Sequence, residues 1–290
     1  MTNRASRTAW GPIVQVAIEQ FVPQSQRIIQ DNLAYRFLPA SLRLYTSIGR
    51  SRTVRNWLFA IIERRVPGIR GGILCRKRYI DEKLVEMLGY GLQALVILGA
   101  GMDTLAYRLP ELSTLQVYEV DLPETIEAKQ TVLIRLFGKI PEHIKLVPVD
   151  FDRQGLGGAL QEAGYSNESK NFFVWEGVTQ YISESAVDKV FGFLQNASRG
   201  SRLVFTYIRK DFINGQKLYN LEMLYRQTRL KQEFWQYGMQ PGEVAGILET
   251  YGWRELEQVG NAEYQQRYLQ PIDRVMPVME VERAVYAEKN

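Results

Sequence analysis

Three apolar segments of this sequence end in acidic residues, and a fourth ends in a glycine turn. Gly99 and Gly101 form the turn, and the acids are Asp121, Asp150 and Glu176. Glycine lets a ligand approach the backbone closely, and carboxylates accept hydrogen bonds from sugar hydroxyls. Asp121 and Asp150 could each cap the segment that follows. Three acids in equivalent positions, however, favour one shared site for a ligand that carries a ribose.

The turn differs from a dinucleotide-binding fingerprint in two ways. The fingerprint has a third glycine three residues after Gly101, where this sequence has Thr104. Asp103 also lies at the start of the helix that follows, where a pyrophosphate needs positive charge. Asp103 has an alternative interpretation as a helix cap. The predicted ligand is therefore S-adenosyl-L-methionine, which has a ribose and a sulfonium cation but no phosphate, rather than NAD.

Seven segments have the composition of strands, and helix-length segments separate the first five. The strand segments are 94–100, 114–121, 144–150, 171–177, 201–208, 253–260 and 282–289. This alternation predicts an α/β fold with a doubly wound parallel sheet. Ligands of such sheets bind beyond the carboxyl ends of the strands. The glycine turn and the three acids should therefore meet in one crevice.

The chain divides into two predicted regions. Residues 1–92 are predicted to form a helical N-terminal cap region, and residues 93–290 the cofactor-binding domain, with a helical cap insertion at 209–240. Residues 54–66 have apolar residues at helical spacing, which indicates a packed helix rather than a membrane-spanning one. The insertion offers an apolar lining for a substrate pocket, although core packing is the alternative. Its candidates are Leu218, Leu221, Leu224, Tyr225 and Trp235.

Composition excludes several classes of protein. The chain has 290 residues, of which 46% are hydrophobic and 23% charged, as is ordinary for a globular protein. The single cysteine, Cys75, excludes a disulfide framework and a cysteine-built metal site, and we predict no metal. No apolar run reaches the ~18 residues of a transmembrane helix. The first residues lack the apolar core of a signal peptide, so we expect a cytoplasmic protein.

Positive charge is concentrated in the first part of the sequence. Residues 1–78 have fourteen Lys or Arg against three acids, a charge of +11, so the net charge of +4 leaves −7 for the rest. A basic region can bind an anionic ligand, an acidic partner or a membrane surface, or simply face solvent. No basic patch is interleaved with aromatics, so no nucleic acid is expected. Arg76 and Arg78 are candidates to bind the carboxylate of the cofactor.

Several stretches together resemble the leucine carboxyl methyltransferase family, including its bacterial branch of S-adenosyl-L-methionine-dependent O-methyltransferases. They are "RKRYIDE" (76–82), "LGAGMDTLAYRL" (98–109), "YEVDLPE" (118–124), "VPVDF" (147–151), "WEGVTQYIS" (175–183) and "YGMQPGEVAGILETYGW" (237–253). "LGAGMDT" followed by "EVDLP" is the specific combination. The resemblance implies a seven-stranded, Rossmann-like class I methyltransferase sheet and S-adenosyl-L-methionine as cofactor.

The resemblance also implies a role for each candidate residue. Arg76 would pair with the cofactor carboxylate, Gly99 would lie against its amino-acid portion, Asp121 would hold the ribose, Asp150 and Phe151 would face the adenine, Glu176 would lie near the amino group, and Tyr181 would line the approach of the acceptor. Gly101 and Asp103 complete the predicted cofactor-binding set. Glu176 and Tyr181 are also the catalytic candidates, for positioning rather than as a general base.

One segment departs from the family pattern. "QDNLAYRFLP" (30–39) resembles the family's acidic-Pro-x-Ala segment, with Asn32 in place of the proline. Gln30 occupies the place where some members that methylate a protein C-terminus have a lysine. This departure favours a small-molecule acceptor over a protein C-terminus.

The predicted reaction is methyl transfer to a carboxylate, or to a hydroxyl, of a small molecule. An acidic acceptor with an apolar body, such as a polyketide or acyl carboxylate, fits the basic first region. A carboxylate with an ordinary pKa of about 4 is ionised at neutral pH and needs no base. His143, the one histidine, precedes the third strand and is predicted to be structural. The alternatives are a protein C-terminal carboxyl methyltransferase, an NAD-dependent oxidoreductase and a non-catalytic cofactor-binding module. Neither the acceptor nor the oligomeric state follows from the sequence.

Overall fold

The computed structural model describes residues 10–231 and 233–290, and seven strands in them form one sheet. The strands are β1 (Ala94–Leu98), β2 (Gln116–Asp121), β3 (Ile144–Pro148), β4 (Asn171–Trp175), β5 (Arg202–Ile208), β6 (Trp253–Val259) and β7 (Glu282–Lys289). Their order is β3-β2-β1-β4-β5-β7-β6. The first five pair in parallel, and β7 pairs antiparallel with β5 and β6. The predicted α/β fold and all seven predicted strands are confirmed, but the sheet is mixed rather than wholly parallel, because β7 runs antiparallel to its neighbours.

Helices surround this sheet. They are α1 (Trp10–Glu19), α2 (Ala34–Phe37), α3 (Ala40–Ser47), α4 (Arg52–Arg65), α5 (Ile69–Leu88), α6 (Leu105–Arg108), α7 (Pro123–Phe137), α8 (Leu156–Glu162), α9 (Glu184–Leu194), α10 (Lys210–Ile213), α11 (Glu222–Tyr225), α12 (Val244–Thr250) and α13 (Asn261–Tyr264). Before β1, the described residues form helices and turns without a strand, as predicted. No helix among the described residues has the length and apolar character needed to cross a membrane.

The sheet is buried on both faces, which explains the continuous apolar run of β1. Leu95 and Ile97 pack into a core that includes residues of α1 and α5. Val96 and Leu98 point the other way, into a core with Trp175 and α9. Successive side chains of a strand point to opposite faces, so a strand covered on both sides needs apolar residues throughout. These two cores hold the sheet between them, and so fix the position of the edge at which the parallel strands end.

The segment 209–240 is only partly helical, so the prediction of a helical insertion is partly wrong. It contains α10, α11 and a π-helical stretch, Arg226–Lys231, joined by turns. Tyr219 and Asn220 have φ values of 54° and 57°. Residues other than glycine rarely adopt this left-handed backbone conformation, and a residue that adopts it cannot continue a right-handed helix. The composition of the segment does not reveal such a break.

The helix predicted at 54–66 is present as α4, but it is not packed as predicted. Its only buried side chain is Arg55, which donates a hydrogen bond to the carbonyl of Gly49 at 2.9 Å. Trp57 is 62% exposed. Helices of globular proteins normally bury an apolar stripe. The protein surface therefore leaves the apolar residues of α4 partly uncovered.

Candidate active site

A cavity of about 850 Å³ lies beyond the carboxyl ends of β1 to β4. Nine of the candidate site residues line it: Arg76, Gly99, Gly101, Asp103, Asp121, Asp150, Phe151, Glu176 and Tyr181. The parallel pairing of β1 to β4 places their carboxyl ends at one edge of the sheet. The structure thus brings together residues that the sequence separates by up to about a hundred positions.

The turn after β1 requires glycine for reasons within the protein. Gly99 and Gly101 have φ values of 74° and 46°. The amide of Gly99 donates a hydrogen bond to the carbonyl of Val120 at 2.8 Å. A Cβ atom on Gly99 would lie 2.1 Å from the side chain of Val178. Any larger residue would therefore displace Val178 as well as adopt a strained conformation.

Asp121 ends β2 and holds the turn in place. One carboxylate oxygen accepts a hydrogen bond from the amide of Gly101 at 2.7 Å, and the other accepts from the amide of Leu122, also at 2.7 Å. Burial raises the pKa of Asp121, and these two amides oppose that rise. Each oxygen keeps a lone pair for a further donor. Asp121 can therefore bind hydroxyl groups while it fixes the backbone around them.

A buried ion network forms one wall of the cavity. Arg76 binds Glu176 at 2.6 Å and Glu282 at 2.5 Å. The neighbouring Lys77 binds Asp103 at 2.7 Å and Glu176 at 3.1 Å. Burial opposes the charge of Arg76, but Glu282 and Glu176 outweigh it and raise the pKa of Arg76. Burial likewise opposes the charge of Asp103, but Lys77 and Arg108 outweigh it and lower the pKa of Asp103.

The charges of this wall favour a cationic ligand. Three carboxylates, those of Glu176, Glu282 and Asp103, face the two cations Arg76 and Lys77. Asp121 adds a fourth carboxylate to the cavity. A ligand with a sulfonium, an ammonium and one carboxylate carries one net positive charge. The residues present therefore fit S-adenosyl-L-methionine, since opposite charges attract strongly where water is excluded.

Asp31 joins the N-terminal region to the glycine turn. Its carboxylate accepts hydrogen bonds from the amides of Leu33 and Ala34, at 2.9 and 2.8 Å, and from the hydroxyl of Thr104. Thr104 is 2% exposed. The residue that replaces the third glycine of the dinucleotide fingerprint thus anchors "QDNLAYRFLP" to the site. Asn32 in place of the family's proline leaves this anchor intact.

The remaining predicted residues line two other parts of the cavity. Asp150 follows β3, and its carboxylate accepts a hydrogen bond from the amide of Asp152 at 3.1 Å. Phe151 is buried beside it and also lines the cavity. Tyr181 stacks on Phe234 with ring centroids 5.7 Å apart and planes at 4°. The segment after β4 therefore contacts the 209–240 insertion at Tyr181.

Two buried polar groups near Tyr181 lack a partner. Trp235 meets Tyr181 edge to face at 6.4 Å, and both side chains line the cavity. Neither the indole Nε1 of Trp235 nor the amide Oε1 of Gln180 has a hydrogen-bond partner within the part of the chain that the structure describes. Buried polar groups are normally paired. Both atoms belong to residues that line the cavity, so a ligand bound there is a candidate partner for them.

The sequence interpretation missed two members of the ion network and misassigned one cation. The sequence interpretation did not assign Lys77 to the site, although Asp103, an acid just before α6, needs a counterion. Nothing in the sequence pairs Glu282 with Arg76, because 206 positions separate them. The prediction for Arg78 was wrong, since Arg78 forms an exposed ion pair with Glu82 at 2.7 Å and does not line the cavity.

The predicted apolar lining was correct in part. Leu224 and Trp235 line the cavity. Leu218, Leu221 and Tyr225 instead pack into the small core of the insertion, the alternative that the sequence left open. His143 lies immediately before β3, at the amino ends of the parallel strands, where the sequence places it. It does not line the cavity.

Comparisons with known proteins agree with this fold and site. The sequence model of the leucine carboxyl methyltransferase family matches residues 9–195. A candidate S-adenosyl-L-methionine-dependent methyltransferase of Mycobacterium marinum is 30% identical over 213 residues, which are 71% of this chain and 70% of that protein. The candidate methyltransferase YktD of Bacillus subtilis is 31% identical over 182 residues, 62% of this chain and 60% of that protein.

Solved structures show a similar fold. The crystal structure of a candidate methyltransferase from Thermobifida fusca aligns with a TM-score of 0.58 at 16% identity, and covers 82% of this chain and 88% of that one. At this identity the likeness concerns the fold alone. The family match, in contrast, extends over more than half of the chain and includes the glycine turn and three of the acidic strand ends. The chain therefore belongs to the leucine carboxyl methyltransferase family.

Proposed function

We propose that the protein transfers the methyl group of S-adenosyl-L-methionine to the carboxylate of a small molecule with an apolar body. As a member of its family, it is an S-adenosyl-L-methionine-dependent methyltransferase. The carboxylate and the apolar body of the acceptor are what we add. The proposal is carried by the buried N–H of Trp235, a residue that lines the cavity, because this N–H has no hydrogen-bond partner among the described residues.

The cofactor would lie along the strand ends. Asp121 would accept hydrogen bonds from the ribose, and Glu176 would face the ammonium group. Asp150 and Phe151 would line the adenine. Arg76 has a guanidinium N–H group beyond those bound to Glu176 and Glu282, which would meet the cofactor carboxylate. When bound, the cofactor supplies a methyl group on a positively charged sulfur.

The acceptor would lie between the N-terminal helices and the insertion. This side of the cavity is lined by apolar side chains from α1, α4, α5 and α11, among them Ile13, Ile62, Ile69, Ile73 and Leu224. We propose that residues 10–92 and the described residues of 209–240 act together as a cap over it, while residues 1–9 of the predicted cap region lie outside the described residues. The indole N–H of Trp235 would donate to the acceptor carboxylate and orient it, since charged acceptors form the stronger hydrogen bonds. Tyr181, stacked on Phe234, would line its approach.

This reaction needs alignment more than acid–base chemistry. A carboxylate is ionised at neutral pH, so it attacks without a base. The protein's part is to hold the acceptor in line and exclude water, and such positioning contributes roughly 7–11 kcal/mol in favourable cases. His143, at the opposite edge of the sheet, takes no part. A phenolic or alcoholic acceptor would instead need a group to take its proton.

The proposal predicts a methyl-transfer rate that depends little on pH. With a carboxylate acceptor, kcat should stay within about twofold between about pH 6 and pH 9, because no proton leaves the acceptor. The measurement is the pH profile of methyl ester formation by mass spectrometry, over a panel of aliphatic and aromatic acids. A rate that rises tenfold per pH unit would indicate a hydroxyl acceptor. Methylation of proteins in a cell extract, but of no acid, would indicate a protein C-terminus.

The Trp235→Phe variant tests the orientation of the acceptor. It keeps an aromatic ring in the packing around Tyr181 and removes the indole N–H together with the five-membered ring that bears it. A hydrogen bond to a charged group contributes about 1.5–3 kcal/mol, so KM for the acceptor should rise about tenfold or more. Affinity for S-adenosylhomocysteine should stay unchanged. Trp57→Phe, at an exposed indole, is the matched control. An unchanged KM in Trp235→Phe would assign this indole to packing alone.

A further inference from the structure

One segment of the chain is rich in exposed apolar and basic side chains. Leu44, Tyr45 and Ile48, in and just after α3, are 73%, 44% and 50% exposed, and Trp57 of α4 is 62% exposed. Only twelve large hydrophobic side chains are exposed in the whole described chain, so a third of them fall within fourteen consecutive positions. Clustered exposure of this kind marks interaction sites. We call residues 40–66 the α3–α4 surface.

The charge of the α3–α4 surface has one sign. It contains six arginines and a single acid, Glu63. Glu63 accepts a hydrogen bond from the amide of Gly68 at 2.7 Å and is half-buried. Arg50, Arg52, Arg64 and Arg65 are exposed, and none of the four has an ion-pair partner among residues 10–231 and 233–290. Four exposed cations are thus left without an ion-pair partner in the described chain, and one of them, Arg65, also lines the cavity.

α4 itself has the composition of a helix that needs a partner. Its fourteen residues include six large apolar side chains, of which Trp57 is exposed and the other five are half-buried. The six are Val54, Trp57, Leu58, Phe59, Ile61 and Ile62. A helix that lies in a membrane interface has this arrangement, with aromatic and aliphatic residues beside arginines. Trp in particular prefers the level of the lipid headgroups.

We propose that the α3–α4 surface docks on a membrane that contains anionic lipids. The exposed apolar side chains would enter the headgroup layer, and the unpaired arginines would bind the phosphates. Anionic lipid surfaces supply both an apolar layer and negative charge, which matches this surface in both respects. An acidic protein would match the charge but not four exposed apolar side chains. α4 would lie on the membrane, since no described helix can cross one.

The position of α4 relative to the cavity gives this docking a use. Ile62 and Arg65 of α4, and Val66 just after it, line the cavity. The helix that would touch the lipid therefore also forms part of the cavity wall. An acyl carboxylate dissolved in the bilayer would reach the cavity past α4. This step alone rests on the proposed function, whereas docking does not depend on it.

Flotation with vesicles tests the docking without cofactor or acceptor. The purified chain is mixed with phosphatidylcholine vesicles, with or without phosphatidylglycerol, and the bound fraction is measured. We expect binding only when phosphatidylglycerol is present. Trp57→Ser and the double variant Arg52→Glu/Arg64→Glu should each weaken binding about tenfold or more, since each basic residue near such a surface contributes appreciably. A blue shift of fluorescence on binding, absent in Trp57→Phe, would report insertion of Trp57.

Matched controls separate docking from general attraction of a basic protein. Tyr90→Ser removes an aromatic side chain that is 68% exposed, and Arg199→Glu/Lys139→Glu makes the same change in net charge. These residues lie outside the α3–α4 surface, and their variants should bind like the wild type. An equal loss of vesicle binding in both double variants would show that net charge alone causes the binding, and would overturn the proposal. The absence of vesicle binding would also overturn the proposal, as would vesicle binding that Trp57→Ser leaves unchanged.

Discussion

The Asp121→Ala variant is expected to bind S-adenosylhomocysteine at least a hundredfold more weakly than the wild-type protein. The change removes the carboxylate that we propose binds the ribose hydroxyls, and it frees the amides of Gly101 and Leu122 that now fix the turn. Hydrogen bonds to a charged group contribute about 1.5–3 kcal/mol each, and two of them correspond to a factor of about a hundred or more. Calorimetric titration of the purified protein measures the effect directly.

Two comparisons make this titration decisive. Glu127→Ala, on α7 just beyond β2, removes an exposed carboxylate of the same strand–helix unit and should bind like the wild type. NAD, titrated separately, should not bind, because Thr104 and Asp103 occupy the positions that a pyrophosphate needs. Tight binding of NAD, or of neither ligand, would overturn the cofactor assignment. Unchanged binding by Asp121→Ala would remove Asp121 from the site.

The Lys129→Met variant is expected to lose about 3–5 kcal/mol of stability, the cost of leaving a buried charge unpaired. Lys129 and Glu119 form an ion pair at 2.6 Å, and both side chains are fully buried. Tyr107 donates a second hydrogen bond to Glu119, and Lys129 also reaches the carbonyl of Ala100 in the glycine turn at 3.4 Å. Urea unfolding followed by circular dichroism measures the loss.

The double variant Lys129→Met/Glu119→Gln should recover part of this loss. Glutamine still accepts the hydrogen bond from Tyr107 but carries no charge, so nothing charged is left unpaired. Lys139→Met breaks an exposed ion pair with Glu142 and should leave stability unchanged. A Lys129→Met protein as stable as the wild type would show that water reaches Glu119. Failure of the double variant to recover would assign the effect to lost packing.

The stability deficit of Lys129→Met should also shrink in acid. Burial raises the pKa of Glu119, and Lys129 opposes that rise. Without Lys129 the folded protein holds the proton of Glu119 still more tightly than the unfolded chain does. A group with a raised pKa in the folded state stabilises fully below its unfolded pKa of about 4.3, and this contribution is lost as pH rises through the folded value. The free energy of unfolding of both proteins, measured at about pH 5 and about pH 7, tests whether the deficit shrinks in acid.

Much of the fold and of the cofactor end of the site follows from local pattern. β1 reads as a strand because "ALVIL" is apolar throughout, as a strand covered on both faces must be. The sequence alone places Asp121, Asp150 and Glu176 together, because parallel strands bring their carboxyl ends to one edge. For these three acids, position at the end of a strand was enough. The geometry of the sheet then brings the three acids to one edge.

The features that the sequence did not reveal depend on distant partners or on single backbone angles. Glu282 meets Arg76 only because β7 turns back antiparallel beside β5. Thr104 binds Asp31 across 73 positions, and neither residue type indicates that the other is its partner. The helical structure of the insertion breaks at Tyr219 and Asn220, which have positive φ values that the sequence pattern did not predict. In α4, the helical spacing was correct, but spacing cannot show what covers an apolar face.

The position of β7 has a consequence for how the protein is made. β7 follows β6 in sequence yet lies between β5 and β6 in the sheet. A chain emerging from the ribosome therefore holds β6 without a neighbouring strand, and Arg76 without Glu282, until β7 has been synthesised. Newly made chains should acquire a competent site in one late event, and premature termination before Glu282 should leave a protein that chaperones and proteases recognise.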